Sequence, residues 1–185
     1  LRDEMGLIKN AADSAKLAAK ADPHSSVVLV PAFTGLGAPY WDPHARAAIF
    51  GMVRDTGAPE IVRAAIESVS FQTRDLMDAM GADMKAAGLG DPQALRVDGG
   101  MVANDWFMQN LTDMIGRPVE RPAVTETTAL GAAYLAGMQV GFYGSTADVA
   151  KNWQCERRFS PTMAEGEREL RYGRWCQAVG RVLVK

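Results

Sequence analysis

Residues 95–105, LRVDGGMVAND, combine the residue types and order best suited to chemistry. An apolar run ends in Gly99 and Gly100 and passes directly into an amphipathic segment, so a strand hands over to a helix through two residues without Cβ atoms. A ligand can then lie against the backbone, facing the unpaired N–H groups and positive dipole end of the helix, which suits a phosphate or a nucleoside. Asn104 falls on the first helical turn, where its side-chain amide can meet a base edge. The spacing fits equally a tight strand-to-helix turn that needs two glycines for its own geometry. It matches neither G-x-G-x-x-G nor G-x-x-x-x-G-K-[ST], which argues against a Rossmann or P-loop site. Asp98 stands at the C-terminal end of the strand, where α/β sheets bind ligands, but it has no partner at a telling spacing and is not read as a catalytic base.

Two other stretches compete for attention. The loop PAFTGLGAPYWDP, residues 31–43, carries Gly35 and Gly37, yet Pro39 and Pro43 keep a helix from starting behind it, so no dipole faces an anion. It reads as a structural loop with Phe33, Tyr40 and Trp41 as packing residues. In TETTALGAAYLAGM, residues 125–138, Gly131, Ala132, Ala136 and Gly137 thin out one helix. They allow either dense packing on a sheet, the preferred reading, or movement at a hinge. Asp42, His24 and His44 read as solvated or capping residues.

The elements that must position these residues follow from the hydrophobic pattern. A helix is expected over residues 1–20, short strands at 27–31 and 47–52, and a long helix over 59–84, where Val62, Ile66, Val69, Leu76, Met80 and Met84 form one stripe. A strand at 94–97, a helix from Val102 to Ile115 closed by Gly116, and a strand at 118–121 follow. A helix capped by Thr125 then runs to about 139, and a last one covers 165–184. The order helix, strand, helix, strand, helix is that of an α/β layer fold. With only about four strands in sight, the sheet is expected to be incomplete.

Composition narrows the function classes. The 185 residues are 48% hydrophobic and 23% charged with a net charge of −2, a globular balance without the basic patch of a nucleic-acid binder. Cys155 and Cys176 have no CxxC spacing, which suits neither zinc nor a disulfide framework and fits a reducing cytoplasm. The Ala/Gly-rich run 127–142 is shorter than the roughly 20 residues a membrane span needs. The opening at Leu1, without a start methionine or signal peptide, suggests a fragment.

PAFTGLGAPYWDP, AAIFGMVRDTGAPEIVRAAIE (Ala47 to Glu67), LRVDGGMVAN and TTALGAAYLAG, in this order, resemble the C-terminal half of the FGGY carbohydrate kinases. The resemblance covers almost the whole chain and is weakest at 81–93 and toward the C-terminus. It implies an actin-like ATPase (ribonuclease H-like) fold in which two domains close on ATP and an acceptor. Residues 1–185 would be the C-terminal nucleotide-binding domain, without the N-terminal domain and the first strands of this one. The PYWDP loop and the VDGG context point within the family to ATP-dependent phosphorylation of glycerol to glycerol 3-phosphate. ATP and Mg²⁺ are the implied cofactors, and homo-oligomers the implied assembly. Gly100 and Asn104 match the family positions lining the adenine nucleoside, with Gly99 beside them, and residues 127–138 match a segment near the domain hinge. The catalytic Asp is expected upstream of Leu1, so the chain alone is expected to be inactive. Another polyol or sugar kinase of the family, or a non-catalytic nucleotide-binding module, are the alternatives.

Overall fold

The computed structural model describes residues 1–90 and 92–184. Its longest helix, α2 (Ala58–Ala86), starts where the Glu60 carboxylate accepts hydrogen bonds from the N–H groups of Gly57 (2.8 Å) and Asp22 (3.1 Å), with Pro59 in the first turn. Val62, Ile66 and Phe71 are buried, but Leu76 and Met80 are exposed. The apolar stripe read over 59–84 is thus covered only in its first half, because the helix outruns the elements packed on it.

Three further corrections concern helices and caps. Of the helix expected over residues 1–20, only α1 (Asp13–Ala18) forms; the chain before it is turns, with Gly6 at φ +60°. Leu1, Leu7 and Ile8 nevertheless pack on the core, so the apolar signal was real and its helical period was not. The helix expected from Val102 divides into a 3₁₀ turn (Gly100–Ala103) and α3 (Asp105–Ile115), which Gly116 closes in the left-handed conformation as expected. Helix α4 (Thr127–Gln139) begins after Glu126 and has no side-chain cap, so Thr125 is not the cap residue.

The strands form two small sheets. β1 (Val28–Val30) and β2 (Ala48–Phe50) pair antiparallel, with Leu29 opposite Ile49. β3 (Leu95–Arg96) and β4 (Val119–Pro122) are parallel, with α3 as their crossover and Leu95 opposite Val119. β5 (Cys155–Phe159), absent from the sequence reading, pairs antiparallel with β4. Only Phe159 of β5 is buried, so this charged strand carries no hydrophobic period to detect. The free edge of β3 has no partner strand among the described residues.

One core joins α2, α3 and the three-stranded sheet through Val62, Ile66, Phe107, Met108, Leu111, Val119 and Phe159. A second joins the β1–β2 hairpin to α2 and the last helix, α6 (Glu165–Val182), through Val28, Val30, Phe71, Met114 and Trp175. The Phe71 and Trp175 rings stack there at 5.4 Å. Asp75, buried on α2, accepts from Tyr172 Oη (2.6 Å) and Trp175 Nε1 (2.8 Å). Burial pushes its carboxyl above the usual range, and burial, with the Asp75 carboxylate beside it, pushes the Tyr172 hydroxyl up.

Candidate functional site

Leu95 and Arg96 lead the chain to the C-terminal edge of the parallel pair, where β4 also ends. There Val97 N–H reaches Glu120 O (3.2 Å) and Gly99 N–H reaches Thr125 O (3.0 Å), so the Gly-Gly turn and the entry to α4 are tied side by side. Gly99 sits at φ +86°, a conformation that only glycine adopts without strain. Gly100 does not, and a Cβ built on it meets no atom of the chain within 4 Å. The turn's own geometry therefore accounts for the first glycine and not the second.

Asn104 occupies the N-cap of α3, not its first turn as the sequence suggested. Its Oδ1 accepts from Phe107 N–H at 3.0 Å, a role short polar side chains fill well. Among the described residues nothing is hydrogen-bonded to its Nδ2, so what Asn104 can offer a ligand is a donor. Gly99, Gly100 and Asn104 are thus brought together on one turn, at the end of a parallel sheet where ligands bind in α/β folds. Asp98 lies exposed beside them.

Beside the turn, a groove of about 430 Å³ opens between the sheet and α4, lined by Arg96, Pro122, Leu130, Gly131, Tyr134 and Trp153. Arg96 lies 3.8 Å over the Trp153 ring. No residue of α4 is buried, and the space a Cβ would take at Gly131 is empty. Among the described residues the dense packing expected of this small-residue helix is therefore not found.

The 31–43 loop closes on itself through Leu36 N–H to Asp42 O (2.7 Å) and Asp42 N–H to Leu36 O (2.9 Å). A Cβ at Gly35 would lie 2.7 Å from Asp42 O, so this glycine serves the loop itself. Of the three aromatics expected to pack, only Tyr40 does; Phe33 and Trp41 are 75% and 76% exposed. Asp42 caps, as expected. It accepts from the N–H groups of Val184 (2.8 Å), His44 (2.8 Å) and Ala45 (3.0 Å), donors that hold its carboxyl below the usual range. Among the described residues no group of three His, Cys, Asp or Glu is placed to hold a metal ion, and no helix is long and apolar enough to cross a membrane.

Comparison with known proteins adds to this geometry. The family model for the FGGY family of carbohydrate kinases, C-terminal domain, matches residues 2–140. The chain is 56% identical over 182 residues to a glycerol kinase of Alcanivorax borkumensis and 57% identical over 182 residues to glycerol kinase 1 of Pseudomonas aeruginosa, each match covering 98% of the chain. It spans only 36% of the length of these relatives. Among solved structures, glycerol kinase of Plasmodium falciparum with ADP superimposes with a TM-score of 0.82 at 35% identity, over 97% of this chain and 35% of that one. A ligand-bound xylulose kinase of Lactobacillus acidophilus gives a TM-score of 0.78 at 23% identity, over 96% of this chain and 36% of that one, a likeness of fold alone.

Proposed function

Because the chain belongs to the FGGY family of carbohydrate kinases and has the actin-like, ribonuclease H-like fold of its C-terminal domain, we propose that it works as the nucleoside-binding part of a longer kinase that transfers phosphate from ATP to glycerol. The observation that carries this reading is Gly100. It is a glycine that the chain's own geometry does not require, open to a ligand at the C-terminal edge of a parallel pair. The adenosine would lie along the Gly99–Gly100 backbone with Asn104 Nδ2 donating to a ring nitrogen. The high identity to glycerol kinases over nearly the whole chain supports glycerol over xylulose or gluconate as the acceptor.

What this chain contributes is positioning. A nucleoside fixed against a rigid strand end aims the phosphates at the acceptor, and phosphoryl transfer depends chiefly on such alignment and on charge neutralisation. Among the described residues no group of three His, Cys, Asp or Glu is assembled that would hold Mg²⁺ by protein ligands alone. The metal, the phosphate loops, the general base and the acceptor pocket are assigned to the remainder of the kinase. A cytoplasmic, homo-oligomeric enzyme completes the proposal.

A coupled assay for ADP release tests it. The full-length kinase carrying this segment should turn over with ATP, Mg²⁺ and glycerol, and much less with xylulose or gluconate, while the 185-residue chain alone should show no turnover. Glycerol-independent activity, or preference for a sugar, would overturn the acceptor assignment. Turnover by the purified chain alone would overturn the division of labour.

A further inference from the structure

The turn that carries Gly100 and Asn104 is short, and a 3₁₀ turn of this length holds its shape poorly without outside support. Its ends are tied, through Gly99 N–H to Thr125 O and through the Asn104 cap. Its middle is tied by two contacts. The Val102 side chain is buried in the core, and the Val102 carbonyl accepts a hydrogen bond from Arg121 Nη1 at 2.8 Å. The same Nη1 reaches Asp105 Oδ1, on the first residue of α3, at 2.8 Å, while Arg121 Nε reaches Glu156 Oε2 on β5 at 2.6 Å. Arg157 adds a second ion pair to Asp105 at 2.6 Å. The Arg121 side chain is only 12% exposed, and the Phe159 ring lies 5.5 Å from its guanidinium.

We infer that Arg121 is a positioning residue for the nucleotide: from β4 it fixes the 3₁₀ turn and the start of α3 relative to the sheet, and so sets where the Gly100 backbone and the Asn104 amide meet the adenosine. The inference rests on the nucleoside site proposed above. Arg121 is not assigned a contact with nucleotide itself. Its planar fork binds a carbonyl and a carboxylate on one side and a second carboxylate on the other, an arrangement that the single ammonium of lysine cannot reproduce. Glu156 holds the guanidinium from the far side and, among the described residues, has no hydrogen bond or ion pair to the turn, which makes it the internal control.

The test measures ATP and glycerol Michaelis constants, turnover and melting temperature for Arg121→Met, Arg121→Lys and Glu156→Gln in the full-length kinase, with Gly100→Val alongside. Arg121→Met should raise the ATP constant by about tenfold, the scale of one charge-assisted hydrogen bond lost from a binding loop. The glycerol constant and the turnover at saturating ATP should stay within about twofold, since the loss falls on binding remote from the reacting bond. Arg121→Lys should fall between Met and the parent, and Glu156→Gln should leave both constants within about twofold. If Arg121→Met does not fold, Arg121→Lys carries the same test. A lower melting temperature with an unchanged ATP constant would overturn the inference, leaving Arg121 a stabilising residue only. If Gly100→Val also left the ATP constant unchanged, the proposed nucleoside site itself would be wrong; if Gly100→Val alone raised it, only the role given to Arg121 would fail.

Discussion

Gly100→Val should raise the ATP Michaelis constant of the full-length kinase by about a hundredfold, a loss of roughly 3 kcal/mol of binding. The variant should still fold, because a Cβ at this position meets nothing of the chain within 4 Å and the residue needs no left-handed backbone. The branched side chain would instead occupy the space in which the nucleoside lies against the backbone. Asn104→Ala should act more weakly, about two- to tenfold on the same constant, since one polar contact is worth roughly 0.5 to 1.5 kcal/mol. It should also lower stability by about 1 kcal/mol, because Oδ1 no longer caps Phe107 N–H. Neither change should move the glycerol constant, and turnover at saturating ATP should fall little. Steady-state kinetics, with circular dichroism to confirm folding, measures both. An Asn104→Ala enzyme with a raised glycerol constant and an unchanged ATP constant would displace the nucleoside from this turn.

Trp175→Ala should cost about 3 to 5 kcal/mol of unfolding free energy, the range for an aromatic removed from a packed core. Trp175 is fully buried, stacks on Phe71 and donates Nε1–H to Asp75. Removing it empties the space between α2 and α6 and leaves a buried carboxylate short of one donor. Trp175→Phe separates the two parts, since it keeps a ring against Phe71 and loses only the N–H, with an expected cost of about 1 to 3 kcal/mol. Urea unfolding of the parent and both variants reads the difference. A cost below about 1 kcal/mol for Trp175→Ala would mean that the α2–α6 contact is not what fixes the last helix.

The parts legible from sequence were those whose signal lies within a few neighbouring residues. The first half of α2, the Gly116 cap and β3 announce themselves by period, by a terminal glycine or by a strand-length apolar run, and β4 and α6 also form close to where the sequence placed them. So did the neighbourhood of Gly99, Gly100 and Asn104, since all three lie on one turn. What was not legible depends on distant partners. β5 is set by its pairing with β4, with Val119 opposite Phe159, and is almost wholly charged or polar on the surface. Arg121 reads as one more strand arginine until the fold places it against Val102, Asp105 and Glu156. The exposure of α4, Phe33 and Trp41 runs against their composition, because apolar type alone does not say whether a covering surface exists within the same chain.

The location of the adenine is best tested by photolabelling the full-length kinase with 2-azido-ATP and mapping the label by mass spectrometry. Label is expected on residues 99–104, abolished by excess ATP and unaffected by glycerol. Label that is ATP-protected but falls elsewhere, with none on residues 99–104, would contradict it.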